Sequence, residues 1–193
     1  MKYYIEITLI PSIDIPVYFL WEKIYQQIHL ALVEAQDKEG KVKIGVSFPE
    51  YNAEQHKLGR KLRLFASLAN DLKDLTIDKW LSRLMDYVHI TTIRGVPEGA
   101  QTYGFFKRIQ TKSSNARLAR RKARRENITV EQALLSMNNH KEQFSNVPYI
   151  QMKSQTTGQR YRLMIGYEET EKKSSMKDFS TYGLSSKSSV PIF

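Results

Sequence analysis

The chain has 193 residues, 41% of them hydrophobic, which is enough for a buried core in one large domain or two small ones. It contains no cysteine, which excludes disulfide bonds and thiolate metal sites and fits a reducing cytoplasm. Its net charge of +10 favours a polyanionic partner, either nucleic acid or an anionic membrane. No segment approaches the ~18 apolar residues that a membrane span needs, so we expect a cytoplasmic protein without a membrane anchor.

The positive charge is concentrated in the second half of the chain. Residues 1–97 carry 13 basic and 12 acidic side chains, whereas residues 98–193 carry 17 and 8. The segment 95–99 (Gly-Val-Pro-Glu-Gly) has the composition of a linker. We therefore predict two domains, 1–97 and 98–193, with the partner-binding surface mainly in the second.

The first half alternates strands and helices. Strands are predicted at 2–10, 42–48, 61–66 and 88–93, and helices at 17–36 and 71–87. The first helix carries an apolar stripe of period 3.6, formed by Val17, Leu20, Trp21, Ile24, Ile28, Ala31 and Leu32. The order βαββαβ is typical of a ferredoxin-like domain, as in many RNA-binding modules. The aromatic consensus of RNA-recognition motifs is absent from 61–66, so base stacking on that sheet is not expected.

The second half is less regular, and the fold class is predicted as α+β with a divergent α/β domain here. An extended segment is expected at 102–110, a helix at 115–126, and strands at 149–152 and 160–167. Thr129 and Gln132 form a capping-box pattern that begins another helix, running to about residue 143. A charged loop, 168–177, has no role that the sequence assigns.

The predicted helix at 115–126 is rich in arginine. Nine basic residues and no acidic residue lie between Lys107 and Arg125. Five arginines cover about 140° of one helix face, namely Arg117, Arg120, Arg121, Arg124 and Arg125. Arginine favours bidentate phosphate contacts, and the opposite face is too small for membrane insertion. Because a helix enters the narrow groove of A-form RNA only near a hairpin end, the expected ligand is a short RNA stem-loop.

Candidate catalytic groups are few. His29 lies at the edge of the apolar stripe of the first helix, where a histidine is more often structural. No metal-ligand cluster and no Ser-His-Asp pattern is evident. RNA is nevertheless cleaved without metal when its 2′-hydroxyl attacks the adjacent phosphate, a histidine moves protons and hydroxyls hold the nucleophile. The polar segment 153–159 offers such hydroxyls, although on its own it is equally a surface turn.

The sequence resembles the family of type I-F CRISPR-associated endoribonucleases that mature CRISPR RNA. The matching segments occur in the same order along nearly the whole chain. They lie at 28–33, 44–49, 58–63, 108–113, the arginine helix, 154–159, 182–185 and 190–193. The resemblance implies that His29 is the catalytic histidine and that Ser154 holds the attacking 2′-hydroxyl. It also implies that Tyr182 orients the histidine. Thr156 stands where a second serine is expected, so the choice of hydroxyl remains open.

The same resemblance implies roles in RNA binding. It implies that Arg108 and Gln110 read base edges at the foot of the repeat hairpin, and that Arg120, Arg121, Arg124 and Arg125 enter the groove. It also implies that Tyr161 stacks on the terminal base pair; the family has phenylalanine there, and either ring stacks.

The expected activity is metal-independent cleavage of the CRISPR repeat stem-loop, without cofactor, at the 3′ base of the hairpin. The expected partners are that RNA, which stays bound as product, and the other subunits of a type I-F surveillance complex (Cascade). The alternatives are a non-catalytic hairpin-binding subunit of that complex and a basic DNA-binding or ribosome-associated protein.

Overall fold

The computed structural model describes residues 1–99, 101–110, 115–136, 146–174 and 178–193. The chain forms two compact units, one of Met1–Arg108 with Val147–Phe193 and one of Ile109–Asn146. The strands of the chain form two sheets. All strands of one sheet precede the predicted boundary after residue 97, and all strands of the other follow it. Both sheets belong to the first unit, and the two-domain division stays a prediction.

The first sheet is antiparallel and forms one layer of the first unit. It contains β1 (Tyr3–Leu9), β2 (Gly45–Ser47), β3 (Lys61–Ala66), β4 (Val88–Ile90) and β5 (Arg94–Gly95). The strand order is β2-β3-β1-β4, and β5 pairs with the start of β1. Alternate side chains of β1 point to opposite faces, so Ile5, Ile7 and Leu9 are all buried in the core.

Helix α1 (Val17–Glu34) buries the apolar stripe that its sequence predicts, from Leu20 to Leu32. Two positions differ from the prediction. Val17, in the first turn, is 38% exposed, and Tyr25 is fully buried. The burial of Tyr25 matters for the site, because His29 follows it by one helical turn.

The single helix predicted at 71–87 is wrong. The segment forms α2 (Ala69–Asp74), α3 (Ile77–Trp80) and a 3-10 helix (Ser82–Tyr87). Thr76 interrupts it with a left-handed backbone, φ 44° and ψ 48°, which β-branched residues rarely adopt. The break allows Leu75 and Ile77, on either side of it, both to be buried.

The second sheet also lies in the first unit. It contains β6 (Thr102–Ile109), β7 (Tyr149–Lys153), β8 (Arg160–Thr170) and β9 (Val190–Ile192), in the order β7-β8-β6-β9. Strands β6, β7 and β8 confirm the extended segments predicted there. Strand β8 continues to Thr170, so the loop predicted at 168–177 is wrong for its first three residues. Strand β9 was not predicted, because it is short and centred on Pro191. Proline is tolerated at an edge strand, where its missing N–H leaves no ladder bond unmade.

The second unit contains α4 (Asn115–Glu126) and α5 (Val130–Leu135). Ala119 and Ala123 of α4 pack with Ala133 of α5, and all three are buried. The capping box is confirmed: the Gln132 N–H donates to Thr129 Oγ1 at 3.2 Å, and the Thr129 N–H donates to Gln132 Oε1 at 3.0 Å.

Two predictions extend beyond the described residues, namely the continuation of the α5 helix to residue 143 and the part of the charged loop at 175–177. Among the residues that are described, no helix combines the length and hydrophobicity needed to cross a membrane.

Candidate active site and nucleic-acid interface

His29 lies on α1 at the edge of the core and is half-buried. Its Nδ1 is 2.9 Å from the carbonyl oxygen of Thr181. A carbonyl oxygen only accepts hydrogen bonds, so Nδ1 must carry a proton in this contact. The neutral imidazole therefore has its free lone pair on Nε2, where it is able to accept a proton from another group.

The ring of Tyr182 lies flat against the imidazole of His29. The two ring centroids are 4.2 Å apart and the planes differ by 8°. The backbone of Tyr182 is held by the buried phenol of Tyr25, which donates to its carbonyl oxygen at 2.8 Å. The hydroxyl oxygen of Tyr182 lies 2.7 Å from that of Tyr161, close enough for one to donate to the other. Tyr182 is thus held at its backbone, its ring face and its hydroxyl.

A tight turn at 180–183 presents Thr181 and Tyr182 to the helix. The Gly183 N–H donates to the Ser180 carbonyl at 2.7 Å. Gly183 has φ 67°, in the left-handed region that favours glycine. The turn is joined to the first sheet, since the Val46 N–H donates to the Gly183 carbonyl at 2.9 Å. These bonds fix the Thr181 carbonyl, which sets the tautomer of His29, and the ring of Tyr182 relative to the core.

Arg108, near the end of β6, supplies positive charge to the site. Its guanidinium carbon lies 5.5 Å from the ring centroid of Tyr182 and 5.8 Å from that of Tyr161. Burial lowers the pKa of His29 below its ordinary value, and the charge of Arg108 lowers it further, while the Thr181 carbonyl acts in the opposite direction. Both lowering effects favour the neutral imidazole.

Ser154 lies in the β7–β8 turn, which is joined to α1. Its backbone N–H donates to the Gln159 carbonyl at 2.9 Å, and its Oγ accepts the Thr157 N–H at 3.2 Å. The Lys153 N–H next to it donates to Gln26 Oε1 of α1 at 3.1 Å. Because Gln26 precedes His29 by three residues, the turn is joined to the histidine side of α1. Ser154 is half-buried, whereas the alternative hydroxyl of Thr156 is exposed.

Helix α4 in the second unit presents its arginines to solvent. Arg120, Arg121, Arg124 and Arg125 are all exposed. Arg125 pairs with Glu126 at 2.9 Å. Within the described part of the chain, no carboxylate lies within ion-pair distance of Arg120, Arg121 or Arg124. The side chain of Arg117 lies outside the described residues. Gln110, directly after β6, is exposed.

The structure brings together predicted residues that are far apart in sequence: His29, Arg108, Tyr161 and Tyr182. It also shows three supporting groups that sequence reasoning missed. The Thr181 carbonyl is a backbone group and leaves no signal in side-chain identity. Tyr25 and Gln26 lie one helical turn before His29, but the sequence does not show what they contact. Their roles become visible only when the turn at 180–183 and the end of β7 are seen to face α1.

Comparisons with known proteins cover the whole chain. A family model described as "CRISPR-associated protein (Cas_Csy4)" matches residues 4–193. A protein of Pseudomonas aeruginosa (strain UCBPP-PA14) named CRISPR-associated endonuclease Cas6/Csy4 is 33% identical over 193 residues, 100% of each chain. A protein of Escherichia coli (strain UTI89 / UPEC) with the same name is 32% identical over the same length and coverage. Every residue of the site lies within the matched region.

Proposed function

The chain belongs to the Cas_Csy4 family of CRISPR-associated proteins, and we propose that it is an endoribonuclease that cleaves the repeat stem-loops of precursor CRISPR RNA in the cytoplasm. The observation that carries the proposal is His29, with its proton held on Nδ1 by Thr181 and its ring stacked on Tyr182. That arrangement leaves Nε2 free for proton transfer at neutral pH.

The proposed reaction uses the RNA's own 2′-hydroxyl and no metal ion. The 2′ oxygen bonds to the adjacent phosphorus while the bond from phosphorus to the 5′ oxygen breaks. His29 accepts the proton of the 2′-hydroxyl, the departing 5′ oxygen takes up a proton from water, and His29 afterwards returns its proton to the solvent. The products are a 2′,3′-cyclic phosphate and a 5′-hydroxyl. Such a positioned base typically contributes 10²–10⁴-fold to the rate.

Ser154 is proposed to hold the nucleophile. Its Oγ already accepts the Thr157 N–H, so its hydroxyl proton is available to donate to the 2′ oxygen. Thr156 is the second candidate for this role, and its exposed position makes it the weaker one. Tyr182 orients His29 by stacking on it.

RNA binding is proposed to divide between the two units. The arginines of α4 (Arg117, Arg120, Arg121, Arg124 and Arg125) contact phosphates in the groove of the stem. Arg108 and Gln110 read base edges at the foot of the hairpin, where a good bidentate contact discriminates bases by about 1–3 kcal/mol. Tyr161 stacks on the terminal base pair. The cut lies at the 3′ base of the stem, and the product stays bound within a type I-F surveillance complex.

The proposed architecture is a ferredoxin-like domain, 1–97, followed by a divergent RNA-binding domain, 98–193. The antiparallel order β2-β3-β1-β4 supports it, because a βαββαβ chain gives that order when two split βαβ units interleave. The first domain supplies His29, and the second supplies Arg108, Ser154, Tyr161 and Tyr182.

The second candidate function is a hairpin-binding subunit that does not cut. One experiment separates the two: a short repeat stem-loop is incubated with the protein in EDTA, beside a substrate carrying 2′-deoxyribose at the scissile position. We expect the first RNA to be cut and the second to bind and stay intact. If EDTA abolishes cutting, the metal-free mechanism is wrong. If the normal RNA binds but remains whole with and without metal, the binding subunit is the correct function.

A further inference from the structure

The hydroxyl of Tyr161 has a contact that base stacking does not require. Tyr161 lies at the start of β8, and its phenol oxygen is 2.7 Å from the phenol oxygen of Tyr182. Burial raises the pKa of Tyr161 well above its ordinary value, and the bond to Tyr182 adds to this. The hydroxyl therefore keeps its proton throughout the neutral range.

In the described part of the chain, the hydroxyl of Tyr182 bonds to that of Tyr161 and to no other side chain, so this bond restrains the outer end of the ring. Tyr25 fixes the backbone carbonyl of Tyr182, and His29 contacts only the face of its ring. Besides its covalent attachment to α1, the imidazole makes one hydrogen bond within the described residues, between Nδ1 and the Thr181 carbonyl. Rotation of the imidazole about its side-chain bonds is further limited by the parallel ring of Tyr182. Whatever fixes the Tyr182 ring therefore also fixes the direction of Nε2.

We propose that Tyr161 is a positioning residue: its hydroxyl, acting through Tyr182, aims Nε2 of His29 at the attacking 2′-hydroxyl. The inference rests on the proposed endoribonuclease function. It gives Tyr161 two separable parts, a ring face that stacks on the RNA and a hydroxyl that orders the catalytic histidine. Through these two parts, the residue that docks the hairpin also aligns the catalytic histidine.

The test is Tyr161→Phe, which removes the hydroxyl and keeps the ring. Single-turnover cleavage of the repeat hairpin is expected to slow by about 3- to 10-fold, the effect of losing one net hydrogen bond. Hairpin affinity should stay within about 2-fold of wild type, because the stacking face is intact. Tyr167→Phe is the matched control: it removes the same atom from the same strand, but its hydroxyl contacts Glu169, and its rate should equal that of wild type.

A double-mutant cycle tests the route through Tyr182. Tyr182→Phe should slow cleavage about as much as Tyr161→Phe, because each variant removes one end of the same bond. The double variant should be no slower than either single variant. If the two losses multiply, the hydroxyls act separately and the positioning route is wrong.

Other outcomes are equally decisive. Cleavage by Tyr161→Phe at the wild-type rate overturns the inference and leaves the proposed function intact. Equal losses of affinity and rate in Tyr161→Phe would place its hydroxyl on the RNA and also overturn it. Failure of the wild-type protein to cut the hairpin would instead remove the proposed function on which the inference rests. Thermal midpoints of the Tyr161→Phe and Tyr167→Phe variants show whether folding contributes.

Discussion

At the scale of single residues, one backbone carbonyl determines what His29 is able to do. Thr181 accepts a hydrogen bond at Nδ1 and so leaves Nε2 as the basic nitrogen. Without that contact, a half-buried histidine at the edge of a helix has no defined tautomer and is most simply read as structural. The carbonyl therefore leaves Nε2 of this core-edge residue as the nitrogen that would accept a proton in the proposed reaction.

His29→Ala should retain hairpin binding and lose cutting. We expect the single-turnover rate to fall by on the order of 10²–10⁴-fold, the usual contribution of a positioned acid or base. Hairpin affinity and the thermal midpoint should change little, because the side chain is only half-buried. The cleavage rate, the hairpin affinity and the thermal midpoint should all be measured on this one variant. Parallel falls in midpoint, affinity and rate would return His29 to a structural role.

The pKa of His29 gives a second prediction at this scale. In the free protein, a titration followed by NMR should place it below the ordinary value of about 6.5. Arg108→Ala should raise it, because removing a nearby positive charge makes the imidazolium less unfavourable. Arg108→Lys keeps the charge and should largely retain the low value.

The expected pH dependence of cleavage follows from the proposed role of neutral His29 as the base. The rate should rise with pH through the His29 pKa and then level off, with the rising limb moved to higher pH in Arg108→Ala. A rate that falls as pH rises through this interval would show that His29 acts as an acid in the limiting step.

At the scale of elements, α4 exposes Arg120, Arg121 and Arg124, and in the described part of the chain none of the three has a carboxylate within ion-pair distance. Arg121→Ala and Arg124→Ala should each weaken hairpin binding and lower the slope of log affinity against log salt by about 1 or somewhat less. Lys38→Ala removes an equal charge from an exposed position after α1 and should leave the slope unchanged. Wild-type slopes in both α4 variants would exclude phosphate contact by these arginines.

The turn at 180–183 gives a stability prediction. A Cβ on Gly183 would lie 2.3 Å from Val46 Cγ2 and would also occupy a left-handed backbone. Gly183→Ala should therefore cost more than the ~1–2 kcal/mol of backbone strain alone. Gly158 has the similar φ of 69° with no atom within 4 Å of such a Cβ, so Gly158→Ala should show only the strain. Equal thermal midpoints for the two variants would contradict the clash with Val46.

The elements also show what the sequence predicts and what it does not. The stripe of α1 and the capping box at Thr129 were predictable because periodicity and capping are local. The break at Thr76 was not, since tertiary packing imposes a backbone that threonine disfavours. Strand β9 exists only because β6 offers it an edge. The roles of Ser154 and Tyr161 came from family resemblance, while the hydroxyl contact of Tyr161 required the fold.

At the scale of the whole molecule, the site is assembled from distant parts of the chain. His29 comes from α1, Arg108 from β6, and Tyr182 from a turn near the C-terminus. Matches over residues 4–193 confirm the family that the scattered motifs predicted. The first unit is built from both ends of the chain, because the strands within 147–193 form a sheet with β6. We therefore expect that variants truncated at either end lose the fold of this unit and have no cleavage activity.

The distribution of binding groups predicts slow release of product. The proposed contacts of α4, Arg108, Gln110 and Tyr161 all fall on the hairpin, which lies on one side of the cut at the 3′ base of its stem. Cleavage therefore removes few contacts, and product should bind about as tightly as substrate. With RNA in excess, product should appear in a burst of one equivalent per protein and then slow markedly. Higher salt should speed the slow phase, since phosphate contacts weaken as salt rises. Steady turnover without a burst would mean that the hairpin is released freely and that the groove contacts contribute little to its retention.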